Sequence, residues 1–196
     1  GTVASAGGWV LSPKQNDSFR AVGRLWKAGA EVYRLAKAAT SNGKTFSEGS
    51  FYIPSNGKSG PVVKKAAADL GLDFAAAGNL IGSSSAVKPV RIGLWDRYGG
   101  SSPSGHARWL LEQFELPFQL VYPREIDAGN LKSKFDVILL YENAVQSGGG
   151  RGRSAALEEM FGGRQDTTLI PQQFRGWLGS LSQEKSLPKL KEFLDQ

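Results

Sequence analysis

Residues 91–114, RIGLWDRYGGSSPSGHARWLLEQF, decide how the second half of the chain is interpreted. The alternating apolar residues of RIGLW predict a β-strand, which a glycine- and serine-rich loop follows. SPSGHARWLLEQF then predicts an α-helix, with Ser102 as its N-cap and Pro103 in the first helical position. This order is typical of one unit of a parallel α/β sheet. The predicted core stripe of the helix is Ala107, Leu110, Leu111 and Phe114.

The elements downstream continue the same alternation. FQLVY predicts a second strand, REIDAGNLKS a short helix or turn, and FDVILLY a central parallel strand covered on both faces. QEKSLPKLKEFLDQ predicts a final amphipathic helix with Leu187, Leu190 and Leu194 on its buried side. The β-α-β-α-β order therefore predicts an open, right-handed, mainly parallel α/β sheet. Because such a sheet normally follows a helix with a further strand, we expect the chain to be part of a longer protein.

The first half of the chain predicts a separate, smaller unit of the order β-α-β-β-α-β. GGWVLSP, AEVYRLA, SFYIP and DFAAAG predict strands, and TSNGKTFSEG predicts a loop. NDSFRAVGRLWKAG predicts a helix capped by Asn16 or Asp17, ending before Gly29, with a buried stripe of Phe19, Val22 and Trp26. GPVVKKAAADLGL predicts a second helix, with Pro61 near its first turn and Gly71 as its C-terminal stop.

Charge and composition place the division between the two units in NLIGSSSAVKP, a polar linker. Residues 1–88 hold 11 Lys and Arg against 5 Asp and Glu, whereas residues 89–196 hold 13 of each. We therefore predict a small basic α/β unit at 1–88 and a parallel α/β domain at 89–196. The positive charges are mostly spaced singly and lack interleaved aromatic residues, so the sequence predicts no nucleic-acid partner.

Composition also excludes several kinds of chemistry. The chain has no cysteine, which excludes disulfides, thiolate zinc sites and a cysteine nucleophile. His106 is the only histidine, so a metal site with two histidines cannot form within this chain. No apolar run approaches about 20 residues, so no membrane span is predicted. We expect no cofactor in this chain.

Two glycine-rich stretches match phosphate-binding motifs in their letters only. Residues 38–45, AATSNGKT, fit A-x-x-x-x-G-K-T, but a predicted strand follows where a P-loop requires a helix. Residues 150–155, GRGRSA, fit G-x-G-x-x-A but do not lie directly between a strand and a helix. We interpret the second stretch as a flexible loop, in which Arg151 and Arg153 are candidates for binding a carboxylate or a phosphate.

The loop of the opening stretch resembles a nucleophile elbow incompletely. Serine occupies position 104, where G-x-S-x-G requires glycine. Asp96, Ser102 or Ser104, and His106 are close enough in sequence to suggest a triad. A histidine in the first turn of a helix that the serine caps is badly placed for that role. A capped helix with an exposed His106 is the interpretation that we favour.

A resemblance extends over nearly the whole chain. It rests on RIGLWDRYGG and SGHARWLLEQFELPFQLVYPREIDAGNLKSKFDVILL, on the upstream stretches GWVL, RLWKAGAEVYR and GSFYIP, and on the downstream stretches IPQQFRGWLG and LKEFL. Together they resemble the C-terminal region of large bacterial zinc carboxypeptidases related to carboxypeptidase A. Where relatives have Trp-Thr, this chain has His106 and Ala107, which weakens any recognition role at that position.

The resemblance implies a fold and a setting. It implies a flavodoxin-like, three-layer sheet similar to class I glutamine amidotransferases, truncated at its last strand, without the amidotransferase activity because cysteine is absent. Zinc and peptide hydrolysis are expected in a separate peptidase domain that precedes this region. The resemblance also implies a periplasmic or extracellular location.

Three functional hypotheses follow. The leading one is a non-catalytic accessory region of an exported zinc carboxypeptidase, which docks on the peptidase domain or presents a substrate. The second is an independent small-molecule or glycan-binding α/β module, and the third is a hydrolase using Ser102 or Ser104 with His106. The predicted ligand or interface residues are Asp96, Tyr98, Gly99, Gly100, Ser102, His106, Arg108, Trp109, Glu142, Arg151 and Arg153.

Overall fold

The computed structural model of the chain describes residues 1–3, 7–141, 144–146 and 169–195. It is a mixed α/β protein that divides into two compact units. The first comprises Gly1–Pro89 together with Glu112–Leu116, and the second comprises Val90–Leu111 together with Pro117–Gln196. None of the helices in the described ranges is long and apolar enough to cross a membrane.

The first unit is built on a five-stranded sheet in which every neighbouring pair is antiparallel. The five strands are β1 Gly8–Leu11, β2 Tyr33–Leu35, β5 Phe51–Pro54, β6 Phe74–Ala77 and β7 Ser84–Ala86. The strand order is β6-β1-β5-β2-β7. In the central pair, Trp9 lies opposite Ile53 and Leu11 lies opposite Phe51.

Two helices, α1 Asp17–Lys27 and α2 Ser59–Leu70, cover one face of this sheet. The predicted stripe of α1 is wrong at Phe19, which is 45% exposed, because the helix turns Ala21, Val22 and Leu25 toward the sheet. Phe19 instead meets Phe51 edge-on, with ring centroids 5.6 Å apart.

The ends of the two helices match the sequence signals unequally. Asn16 occupies the N-cap position of α1, one of the two predicted alternatives, but its side chain makes no cap hydrogen bond. Gly29 follows α1 with a φ of 67°. Gly71 ends α2 with the same left-handed φ of 67°, as the sequence predicts, because this conformation carries no Cβ penalty in glycine.

The opposite face of the sheet is covered by a hairpin of β3 Ala39–Ser41 and β4 Lys44–Phe46. Asn42 and Gly43 form its turn with positive φ values of 51° and 71°, the pattern of a two-residue type I′ hairpin. The predicted loop over this stretch is therefore wrong. The A-x-x-x-x-G-K-T letters lie in this hairpin, where the lysine is on a strand and no helix follows it.

An ion-pair network on α1 belongs to the first unit. Arg24 donates hydrogen bonds to both carboxylate oxygens of Glu115, at 2.8 and 3.0 Å, and Arg20 donates another at 3.1 Å. The hydrogen bonds from Arg24 are the main reason that the pKa of Glu115 falls from 4.5 to about 2; burial opposes this shift and the bond from Arg20 assists it. The network therefore stabilises the ionised carboxylate.

The second unit is built on a three-stranded parallel sheet of order β9-β8-β10. Two further short strands, β11 and β12, form a separate parallel pair. The strands are β8 Ile92–Trp95, β9 Phe118–Val121, β10 Val137–Leu139, β11 Val145–Gln146 and β12 Leu181–Ser182. The helices are α3 Ser102–Gln113, α4 Pro123–Ala128, α5 Leu131–Lys134 and α6 Ser186–Asp195, with a 3₁₀ helix at Gln172–Trp177.

One face of the parallel sheet carries most of the core of this unit. Trp95 and Val121 pack there against side chains of α4, α5 and α6. In α6, Leu190 and Phe193 are buried whereas Leu194 is 77% exposed, so the predicted Leu187–Leu190–Leu194 stripe is wrong at its last residue. The buried side of α6 therefore holds Leu190, as predicted, and Phe193 in place of Leu194.

The other face is less covered in the described residues. Leu94 is buried, but Val137 and Leu139 of β10 are 38% and 36% exposed. The prediction that β10 is covered on both faces is therefore wrong; within the described residues it pairs with β8. Leu110 of α3 is 49% exposed, so the predicted α3 stripe is also wrong at that position.

Candidate functional site

The candidate site lies at the carboxyl ends of the parallel strands, here named the carboxyl edge. Because β8, β9 and β10 run parallel, the residues that follow them meet at one edge of the sheet. Asp96 follows β8 and Tyr122 follows β9. The backbone N–H of Asp96 donates to the carbonyl of Val121 at 3.0 Å, which fixes these two strand ends side by side.

The loop after β8 folds into a tight turn. The N–H of Gly100 donates to the carbonyl of Arg97 at 2.8 Å, and Arg97 Nε donates to the carbonyl of Gly100 at 3.2 Å. Gly99 and Gly100 have φ values of 85° and 72°, a region that glycine enters without strain. The two glycines therefore shape the turn that places Tyr98 at the edge.

A hydrogen bond between a serine and an aspartate connects the start of α3 to this loop. Ser101 Oγ accepts from the N–H of Ser104 at 3.2 Å, so Ser101 is the N-cap and the predicted cap, Ser102, is wrong by one residue. Ser104 is buried, and its Oγ donates to Asp96 Oδ1 at 2.8 Å. The N–H of Arg97 also donates to Asp96 Oδ1, at 2.8 Å.

This geometry places the hydrolase candidates in other roles. Ser104 is engaged with Asp96 directly, with no imidazole between them. Ser102 and His106 are exposed on the first turn of α3. Within the described part of the chain, His106 makes no hydrogen bond to either serine or to Asp96. A serine nucleophile paired with a histidine base is therefore not assembled in this structure.

Four aromatic side chains converge at the carboxyl edge, here named the aromatic cluster: Tyr98, Tyr122, Phe174 and Trp177. Tyr122 and Trp177 are stacked, with centroids 4.7 Å apart and planes 5° from parallel. Phe174 lies 4.8 Å from Trp177 and 6.5 Å from Tyr98, tilted in both cases. The aromatic cluster thus joins three segments through contacts between their side-chain rings: the loop after β8, the end of β9 and the 3₁₀ helix at 172–177.

Charged side chains border the aromatic cluster. Burial raises the pKa of the Tyr122 hydroxyl, the charge of Asp96 raises it further, and the charge of Arg108 lowers it. One anionic and one cationic side chain therefore act on the same hydroxyl. Asp96 Oδ2 accepts no hydrogen bond from the described residues, in contrast to Oδ1.

Beneath the edge, Trp95 and Tyr141 pack with ring centroids 4.5 Å apart. Trp95 is 4% exposed, and neither its Nε1 nor the Tyr141 hydroxyl has a hydrogen-bond partner in the described structure. A buried donor without a partner is destabilising, and in a polar cavity water commonly satisfies such a group.

The structure brings together some of the predicted site residues and separates others. Asp96, Tyr98, Gly99, Gly100 and Arg108 contribute to the carboxyl edge. Trp109 is 57% exposed on α3 and has no ring contact with the aromatic cluster in the described residues. Glu142, Arg151 and Arg153 lie outside the described residues.

Sequence reasoning missed Tyr122, Phe174 and Trp177. Tyr122 carried a usable signal, since it directly follows a strand in the same manner as Asp96. Phe174 and Trp177 carried only their three-residue spacing in QFRGW, which says nothing about which strand end they face. No group of three or more potential metal ligands occurs within residues 1–3, 7–141, 144–146 and 169–195.

Comparisons of the chain with protein-family models, with curated proteins and with solved structures found no match.

Proposed function

We propose that the chain is a non-catalytic accessory region of an exported zinc carboxypeptidase, and that its carboxyl edge holds part of the substrate. The observation that carries this proposal is the convergence of the aromatic cluster with Asp96 and Arg108 at the carboxyl ends of parallel strands. Open α/β sheets commonly bind ligands at this place. Partly exposed aromatic rings with a few polar groups are typical of the lining of a binding site.

The finer fold belongs to the same proposal. The order β9-β8-β10 is second-first-third in the chain, the order with which flavodoxin-like sheets begin. It supports the flavodoxin-like, class I glutamine amidotransferase-like architecture that the sequence resemblance implies. In that architecture helices cover both faces of the sheet, and here α4 to α6 lie against one of them.

The parent protein completes the proposal. Zinc and peptide hydrolysis belong to a peptidase domain of the same parent chain, which is the partner of this region. The location is periplasmic or extracellular. Ser104 and Asp96, which a hydrolase would use chemically, bind the first turn of α3 to the loop after β8.

The test uses the longer polypeptide that the proposal implies, assayed on a minimal N-blocked dipeptide and on long cell-wall peptides that carry their glycan. Trp177→Ala is expected to raise KM for the long peptides and to leave kcat, the minimal substrate and the zinc content unchanged. Trp109→Ala is the matched control, because Trp109 is an exposed tryptophan outside the aromatic cluster. If Trp177→Ala and the unsubstituted protein have equal KM values for the long peptides, substrate presentation by this edge is contradicted.

An independent small-molecule or glycan-binding module is the alternative, and the aromatic cluster favours it as well. It predicts that the isolated chain still binds its ligand and that Trp177→Ala does not change the peptidase activity of the longer polypeptide. Unchanged activity on every peptide, combined with ligand binding at the edge, would therefore favour the alternative over the accessory role.

A further inference from the structure

We infer that the carboxyl edge takes a glycan, with a sugar ring packed against the aromatic cluster and its hydroxyls bonded to the polar groups beside it. The inference rests on the proposed function in one respect, since it takes this edge as a binding site. It adds the ligand class, which the proposed function leaves open.

The shape of the aromatic cluster is the first argument. Tyr122 and Trp177 lie in nearly parallel planes, and Trp177 remains 36% exposed although it is stacked. A pyranose ring has apolar C–H faces with hydroxyls around its rim. Packing such a face on an aromatic ring removes apolar surface from water without burying the hydroxyls.

The available hydrogen-bonding atoms are the second argument. Asp96 Oδ2 is an acceptor that no described residue uses, and the Tyr122 hydroxyl both donates and accepts. Sugar hydroxyls also donate and accept, so neighbouring hydroxyls match such a mixed set. Asp96 is held in place by the bonds from Ser104 and Arg97 to its other oxygen, which reduces the entropy lost on binding.

The experiment titrates the chain with three neutral trisaccharides, cellotriose, maltotriose and chitotriose, and with trialanine, by calorimetry and saturation-transfer NMR. At least one trisaccharide is expected to bind. Trp177→Ala is expected to weaken that binding by about tenfold or more, because the stacked surface is lost. Asp96→Asn, which keeps the shape of the side chain, is expected to weaken it by roughly threefold through the lost charge-assisted hydrogen bond. Trp109→Ala is the control and is expected to bind as the parent does, with folding of each variant checked by circular dichroism.

The outcomes separate the ligand class from the site. Binding of trialanine but of no trisaccharide, lost in Trp177→Ala, would overturn the glycan inference and leave the carboxyl edge as a peptide site. Trisaccharide binding that is unaffected by Trp177→Ala would place the sugar elsewhere and overturn the inference. No binding of any probe would overturn the inference, whereas the KM test on the longer polypeptide would still decide the proposed function by itself.

Discussion

The two units bury their sheets differently. In β1 of the first unit, Trp9, Val10 and Leu11 are all at most 5% exposed, because helices cover one face and the β3–β4 hairpin covers the other. In β10 of the second unit, Val137 and Leu139 are more than a third exposed. The comparison shows that an apolar strand sequence specifies burial only when other elements are placed on both of its faces.

The largest expected contrast comes from truncating a leucine in each unit. Leu25→Ala removes a side chain that is 0% exposed in the first core and is expected to cost about 2–5 kcal/mol of unfolding free energy. Leu139→Ala removes one that is 36% exposed and is expected to cost less than about 1 kcal/mol. Urea denaturation followed by circular dichroism measures both. Equal losses would show that β10 is packed as tightly as the first core and would break the comparison.

A second contrast adds a methyl group at one closely surrounded glycine in each sheet. A Cβ on Gly8 would lie 2.6 Å from the Tyr52 ring, and one on Gly93 would lie 2.9 Å from Val121 Cγ2. Each glycine-to-alanine change is therefore expected to cost about 1–3 kcal/mol through overpacking. Gly105→Ala, with no atom within 4 Å of the added Cβ, is the control and is expected to be neutral or slightly stabilising.

Adding Val121→Ala to Gly93→Ala sharpens this measurement. Val121→Ala removes the atom nearest to the added methyl group. In the Val121→Ala background, Gly93→Ala is therefore expected to lower thermal stability by less than it does in the unchanged chain. Additive losses would mean that the Gly93 methyl is accommodated elsewhere and that this face is looser than its distances indicate.

The third contrast is the pH dependence of ion pairs. The pKa of Glu115 is about 2 in the folded chain against an ordinary 4.5, so its contribution is present above about pH 4.5 and is lost as the pH falls toward 2. Glu115→Gln is expected to remove about 1–2 kcal/mol at pH 7, after allowance for solvent screening, and to flatten the stability profile between about pH 5 and 2.

The matched variant in the second unit is Asp136→Asn. Asp136 pairs with Arg91 at 2.8 Å, which lowers its pKa, but both side chains are more than 40% exposed. We therefore expect a smaller and more salt-sensitive effect than that of Glu115→Gln. Urea midpoints measured at several pH values decide this order, and a larger effect at Asp136 would reverse it.

The smallest effect tests the cap of α3. Ser101→Ala is expected to lower stability by about 1 kcal/mol, because Ser101 Oγ accepts the N–H of Ser104. Ser102→Ala, at the position that the sequence predicted as the cap, is expected to change stability by only a few tenths of a kcal/mol. Thermal unfolding of the two variants side by side distinguishes them, and a larger loss for Ser102→Ala would restore the sequence-based assignment.

The sequence predicted the mixed α/β class and most of the elements. Alternation located β8 and β9, and the left-handed Gly71 ended α2, because both signals depend on the local backbone alone. The Asn42-Gly43 pair carried an equally local hairpin signal that the loop prediction overlooked. Asp96, Tyr98 and the two glycines of the turn were also found, since they directly follow a strand.

By itself, then, the sequence determined where most strands and helices form and which residues follow the strand ends. It was wrong at the β3–β4 hairpin, predicted as a loop, and at β7, which lies in the predicted linker and pairs with β2. The tertiary structure alone decided which helical faces are buried, as Phe19, Leu110 and Leu194 show, because burial depends on where neighbouring elements lie. It alone brought Tyr122 beside Trp177, residues 55 positions apart in the chain. The physical reason is that parallel pairing and packing join segments whose separation in sequence carries no periodic signal.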